Sequence, residues 1–243
     1  MKRPAIDLLA VFRLLRDHFG TQQWWPAESP FEVVVGAILT QNTAWTNVEK
    51  AIANLRAAAA LTPGAIATLT IPALETLIRP AGFFRQKAVR LQHVTTVLVD
   101  ACAGDVAILC AGPLEAARTR LLALPGVGPE TADSILLYAA QRPSFVVDAY
   151  TRRIFARLGV LTGTEKYDAI RTRFMRELPD EAPLFNEYHA LIVTLAKSHC
   201  RKQRPDCPDC PLVAVCRFAA GPGKFPPVHP FPGENLDLSG GSE

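Results

Sequence analysis

Four cysteines crowd into a short stretch late in the chain. Cys200, Cys207, Cys210 and Cys216 have the spacing Cys-x6-Cys-x2-Cys-x5-Cys. Four thiolates on one loop suit tetrahedral zinc or an iron–sulfur cluster. Spacing does not choose between them. The wide first gap and Pro205, Pro208 and Pro211 fit a loop wrapped around a bulky cubane at least as well as a zinc knuckle. Arg201, Lys202 and Arg204 stand between these ligands, so the loop reads as a phosphate-facing surface. Cys102 and Cys110 lie far from the cluster and read as buried free thiols.

A second chemical stretch spans residues 124–150. It opens with the glycine turn Leu124-Pro125-Gly126-Val127-Gly128, which runs directly into a helical pattern. Gly126 and Gly128 supply backbone freedom and let another surface come close. Exposed amides at the start of a helix suit a phosphate oxygen. Further on, the apolar run Phe145-Val146-Val147 delivers Asp148 at a helix N-cap. An anion cradle is thus followed, one helix later, by a single carboxylate. A tight helix-turn-helix with an ordinary capping Asp is the plainer alternative.

The elements that must position these groups are helical. Residues 5–19 place Leu8, Leu9, Phe12, Leu15 and Phe19 on one face and stop at Gly20. Residues 31–41 are apolar nearly all round and read as a buried helix. Thr43 caps a following helix through Trp45, Val48, Ile52 and Leu55, which Pro63-Gly64 stops. Short helices are expected at 64–69 and 72–78, and a long amphipathic one at 84–102 through Val89, Leu91, Val94 and Val97. Helices near 113–123 and 129–141 flank the glycine turn, and others fall near 149–158, 165–177 and 184–198. No stretch alternates as a strand does, so the fold class is all-α.

The chain has 243 residues and is 49% hydrophobic, with a net charge of only +3. That length suits one large domain or two small ones. No apolar run reaches the roughly 18–20 residues of a membrane span, and the N-terminus lacks a secretory pattern, so a cytoplasmic protein is the expectation. Arginine outnumbers lysine by 19 to 7. This excess of bidentate phosphate binders points toward nucleic acid.

The cysteine loop, the Leu124–Gly128 hairpin and Asp148, taken in that combination, resemble the helix-hairpin-helix DNA glycosylases of the endonuclease III type over roughly residues 28–217. The resemblance implies two helical subdomains with a DNA cleft between them. One would be a six-helix barrel-like domain over 28–142 that carries the hairpin at about 113–141. The other, at 143–218, would hold Asp148 and the cluster and be completed by an N-terminal helix at 1–27. The tail, 219–243, is rich in Pro and Gly and is expected to be extended or disordered. By resemblance the four cysteines hold a 4Fe–4S cluster, chiefly structural, with zinc as the alternative. A monovalent cation at the hairpin carbonyls is left open.

The same resemblance implies chemistry. Such enzymes flip a damaged base out of duplex DNA and cut its bond to the sugar. Asp148 matches the family's catalytic aspartate, which stabilises positive charge on the sugar and orients water. Gln41 and Phe83 occupy the positions that probe the gap left by the flipped base, in loops from which side chains protrude. Gly126 and Gly128, with Arg201, Lys202 and Arg204, would contact phosphates. Glu130 is the departure: strand-nicking members carry there a lysine that forms a Schiff base. No lysine occurs between Lys87 and Lys166, so a monofunctional glycosylase is expected.

GPETADSIL after the hairpin, QNTAW after the buried helix and the Trp-Trp-Pro loop look like the 3-methyladenine glycosylase branch. There aromatic rings sandwich the flipped base, which assigns Trp24, Trp25 and Trp45 to the base pocket. A tryptophan face attracts a cationic alkylated purine by about 0.5–2 kcal/mol. Two alternatives stay open. One is an endonuclease III-like enzyme for oxidised pyrimidines or mispaired bases, with or without weak lyase activity. The other is a catalytically silent binder of distorted DNA.

Overall fold

The computed structural model describes residues 6–221, and among them every regular element is helical. Contacts divide these residues into two units: 25–142, and a second made of 6–24 with 143–221. Most of the tail expected to be extended or disordered, like the first five residues, lies outside the described range.

The continuous unit begins with α2 (Pro30–Leu39), after α1 (Leu8–Phe19) of the other unit. Ser29 caps α2 by accepting from the Glu32 N–H at 3.2 Å, and Pro30 opens its first turn. Nine of its ten residues are buried, as an apolar helix with no polar face requires. α3 (Trp45–Ala57), α4 (Pro63–Thr68), α5 (Ile71–Ile78) and α6 (Phe84–Cys102) follow. Thr62 and Thr70 cap α4 and α5 through their hydroxyls. Thr43 does not cap α3: the N-cap is Ala44, and the Thr43 hydroxyl instead accepts from the Asn47 amide at 3.4 Å. α6 buries Leu91, Val94 and Leu98, whereas Val89, expected on that face, is 56% exposed. Its buried stripe runs instead through Lys87 and Ala88, one position off the apolar pattern.

Three elements close this unit: the one-turn α7 (Val106–Leu109), α8 (Leu114–Leu122) and α9 (Pro129–Ser134). α9 passes into a π-helical turn, Ile135–Ala139, whose five residues are all buried. Arg118 on α8 forms a buried double hydrogen bond to Asp133 on α9, at 2.9 and 3.1 Å, which ties the hairpin's arms together.

The discontinuous unit contains α1, α10 (Ala149–Leu158), α11 (Tyr167–Glu177) and α12 (Ala182–Ser198). Gly20 ends α1 at a φ of 70°. The core joins Phe145, Phe155, Phe174, Phe185 and Tyr188, all fully buried, with Phe145 and Phe174 centroids 4.4 Å apart. The Tyr188 hydroxyl donates to the Leu8 carbonyl at 2.8 Å, fastening α12 to α1. Residues 143–147 form no regular element and lead into α10, with Phe145 buried in this core.

Candidate active site and DNA-binding surfaces

α10 is held at both ends by groups the sequence singles out. At its N-terminus Asp148 is the cap: Oδ1 accepts from the Thr151 N–H at 2.7 Å and from the Thr151 hydroxyl at 2.8 Å. Its Oδ2 lies 3.5 Å from His189 Nε2 on α12, and the two side chains are 13% and 9% exposed. Burial alone would raise the Asp148 pKa. The charge and hydrogen bonding of His189, with the two Thr151 bonds, outweigh burial and hold the carboxyl below its ordinary value. An ionised carboxylate is therefore fixed at a helix N-terminus, where the helix dipole also favours negative charge.

The far half of α10 braces the cysteine loop. Arg153 Nε donates to the Cys200 carbonyl at 3.0 Å. Arg157 donates to Cys200 Sγ at 3.3 Å and to the carbonyls of Arg201 and Lys202, both at 2.8 Å. Cys200, Cys207, Cys210 and Cys216 are all partly exposed, and Arg201, Lys202 and Arg204 are exposed. Burial chiefly, opposed by a backbone hydrogen bond from Leu212 and aided by Cys200, Cys216 and Cys207, raises the Cys210 thiol to about 11. The four thiols thus share one electrostatic neighbourhood. Among the described residues, no three His, Cys, Asp or Glu side chains close on a point as they would around a single ion. Cys102 and Cys110 are buried.

In the continuous unit, the hairpin turn between α8 and α9 is made by Gly126, at a φ of 83°, with the Val127 N–H bonded to the Leu124 carbonyl at 3.0 Å. Gly128 departs from the expected need for backbone freedom. It caps α9 at a φ of −90°, which any residue adopts, and a Cβ there would meet no atom within 4 Å. Glu130 is exposed in the first turn of α9, a favourable place for an acid.

Gln41 and Phe83 are held differently. Phe83 is 59% exposed and has a left-handed backbone, φ 45°, immediately before α6. That conformation is rare for an aromatic residue and stores strain of order 1 kcal/mol. Gln41 is partly exposed and tethered to its neighbours. Its Nε2 donates to the Gly126 carbonyl at 3.1 Å and to the Thr131 hydroxyl at 2.9 Å, and its Oε1 accepts from Arg90 at 2.6 Å. Beneath both loops lies Lys87, 1% exposed, which donates to the carbonyls of Leu39 and Ala81 at 2.9 and 2.8 Å. Burial first, and then the charge of Arg90, lower its pKa to about 8.

Of the three tryptophans, Trp25 and Trp45 meet edge to face at 4.9 Å, and Tyr138 lies 5.1 Å from Trp25. Gly36 gives Trp25 room, since a Cβ there would come within 3.0 Å of its ring. Trp45 donates its indole N–H to Glu49 at 2.9 Å. Trp45 and Glu49, with Pro26, Glu28, Glu32 and Arg56, border an open cleft of about 380 Å³. Trp24 is half-buried.

The profile of the HhH-GPD superfamily of base excision DNA repair proteins matches residues 35–180, a span that contains the hairpin, Glu130 and Asp148. The chain belongs to that superfamily. A Methanocaldococcus jannaschii protein assigned as a DNA repair glycosylase is 48% identical over 226 residues, covering 89% of this chain and 99% of its own. Among solved structures, a trapped endonuclease III–DNA covalent intermediate superposes with a TM-score of 0.75 at 26% identity, covering 88% of this chain and 95% of that one. The 3-methyladenine DNA glycosylase of H. pylori bound to 1,N6-ethenoadenine gives 0.70 at 27% identity, covering 79% and 98%. The family member described here is therefore a DNA glycosylase of base excision repair with the endonuclease III fold.

Several residues of these surfaces carry no recognisable signal in the sequence. His189, Arg90, Lys87, Glu49 and Tyr138 reach their partners only through folding. Thr151 is the exception, because it sits three residues after a capping Asp, where a cap's acceptor is expected to find a donor.

Proposed function

We propose that this glycosylase is monofunctional: it excises an alkylated purine such as 3-methyladenine from duplex DNA and leaves an abasic site. The observation that carries this reading is Glu130, an exposed carboxylate in the first turn after the hairpin, where the strand-nicking members it resembles carry lysine. A carboxylate has no amine to form a Schiff base with the sugar. The aromatic group of Trp25, Trp45 and Tyr138 supports the substrate class, because a cationic base stacks favourably on electron-rich rings and is already a good leaving group.

In this mechanism the bond between C1′ of the sugar and the base nitrogen breaks, and the electron pair leaves with the base. Asp148, kept ionised by His189 and Thr151, stabilises the positive charge left on the sugar. It then accepts a proton from the water that adds to C1′. Phe83 fills the vacated stack, with Gln41 as the second probe of the gap. Gly126, Gly128, Arg201, Lys202 and Arg204 hold the backbone, and Trp24 joins the base pocket.

The cysteine loop fits a 4Fe–4S cluster: its four donors are soft, they share one neighbourhood, and Arg157 donates a hydrogen bond to one sulfur. Bound there, the cluster would cross-link the basic loop, and zinc is the alternative occupant. Domain limits at 28–142 and 143–218, with 1–27 completing the second part, belong to the same reading, as does a monomer acting on damaged duplex.

A second reading is an endonuclease III-like enzyme with lyase activity, favoured by the similarity to the trapped covalent complex. Base release from alkylated, oxidised and mismatched duplexes, analysed before and after alkali and with borohydride trapping, separates the two. Release of 3-methyladenine with nicking only after alkali supports the proposal. A robust borohydride adduct overturns its monofunctional half.

A further inference from the structure

Arg90 sits on α6, three residues beyond Lys87, and its side chain lies across the hairpin glycine. A Cβ at Gly126 would collide with the Cγ and Cδ of Arg90. Position 126 therefore needs glycine for two reasons: its φ of 83°, and the arginine stem that occupies the space. Arg90 donates to Gln41 at 2.6 Å, and Gln41 donates onward to the Gly126 carbonyl at 3.1 Å. Arginine, glutamine and hairpin backbone thus form a closed ring of contacts that fixes the guanidinium beside the turn.

Among the described residues Arg90 pairs with no carboxylate; its polar partner is the neutral Gln41 amide. Lys87 adds a second cation within electrostatic range, and its bonds go to two carbonyls. Two like charges held by neutral acceptors repel one another in the folded chain. Such a surplus is complementary to an anion brought from outside. The guanidinium fork carries five N–H donors, and Gln41 engages one nitrogen, so a bidentate face for phosphate remains.

We propose that Arg90 is a DNA-backbone contact, taking a phosphodiester beside the hairpin turn. Gln41 holds the guanidinium ready in the free protein, so the hairpin's grip on DNA has a charged component besides its backbone amides. The proposal rests on DNA binding by this family's hairpin and not on which base is removed.

The test is the salt dependence of binding to a short duplex that carries a tetrahydrofuran abasic analogue, which needs no turnover. Each phosphate contact contributes about 0.9 to the slope of log K against log salt on B-form DNA. R90M is expected to bind more weakly and to lower the slope by about 0.9, whereas R90K keeps the wild-type slope. Should R90M fail to fold, R90Q, which keeps a donor for Gln41, carries the same readout. An unchanged slope in the neutral variant overturns the proposal and leaves Arg90 as a strut for the hairpin. A slope lost in R90K as well as in the neutral variant also overturns it, because charge would then not be what the position supplies. Failure of 3-methyladenine release alters none of these outcomes.

Discussion

Replacing Lys87 with methionine should cost little stability at neutral pH and substantially more at alkaline pH. The amine is 1% exposed and bonded to two carbonyls, and its pKa is lowered from the ordinary 10.5 to about 8, chiefly by burial and then by Arg90. Below pH 8 the folded protein carries a buried ammonium. At about 1.4 kcal/mol per pKa unit, that charge destabilises the fold by about 3 kcal/mol relative to a neutral amine. Between pH 8 and 10.5 the unfolded chain binds the proton and the folded chain does not, so wild-type stability rises with pH. Methionine fills similar volume but leaves the Leu39 and Ala81 carbonyls without their donor, at about 1–3 kcal/mol each. At pH 7 that loss is largely offset by removal of the buried charge; at pH 10.5 it is not. Urea unfolding of wild type and K87M, followed by far-UV circular dichroism at several pH values, gives the difference free of titrations common to both. The stability gap should widen by about 3 kcal/mol from pH 7 to pH 10.5. A constant gap, or one that narrows as pH rises, would refute the reasoning.

Asp148→Asn should reduce base release by about 10²–10³-fold while duplex affinity stays near wild type; a matching loss of affinity would indicate a structural role instead. Because the Asp148 carboxyl lies below its ordinary 3.8, it stabilises the fold above that pH and loses the contribution as pH falls through its own value. Acid unfolding of wild type and D148N should accordingly converge at the lowest pH. Glu130→Lys should create a borohydride-trappable adduct with abasic DNA that the wild type does not form; mass spectrometry of the trapped complex checks it. Gly126→Ala should lower stability by about 1–3 kcal/mol, since it meets both positive φ and the Arg90 stem, whereas Gly128→Ala should leave the melting temperature unchanged. Cys210→Ser should remove bound metal; iron and sulfide analysis with the visible spectrum of the wild type distinguishes a cluster from zinc.

The helices were legible in the sequence because their causes are local. The periodicity of residues 84–102, the Gly20 stop and the cap at Asp148 depend on neighbours within a few positions. The cysteine spacing and the glycine turn are local in the same sense, and family membership follows from their order along the chain. The roles of individual side chains were not legible, because their partners come from distant segments. Gln41 has the composition of an exposed probe, yet it bonds across 85 residues to the hairpin. Lys87 belongs to a residue type that almost always faces water, and only the convergence of two carbonyls makes its burial tolerable. Gly128 looks like a conformational necessity and is not one, whereas Gly126 is one twice over. Asp148 shows the division within one residue. Its place at the start of a helix is written in the Phe-Val-Val-Asp run, but its low pKa depends on a histidine that α12 carries to within 3.5 Å. Sequence thus determined the helices, the motifs and the family. Tertiary packing decided which side chains are buried, which are held, and which way Asp148 and Lys87 titrate.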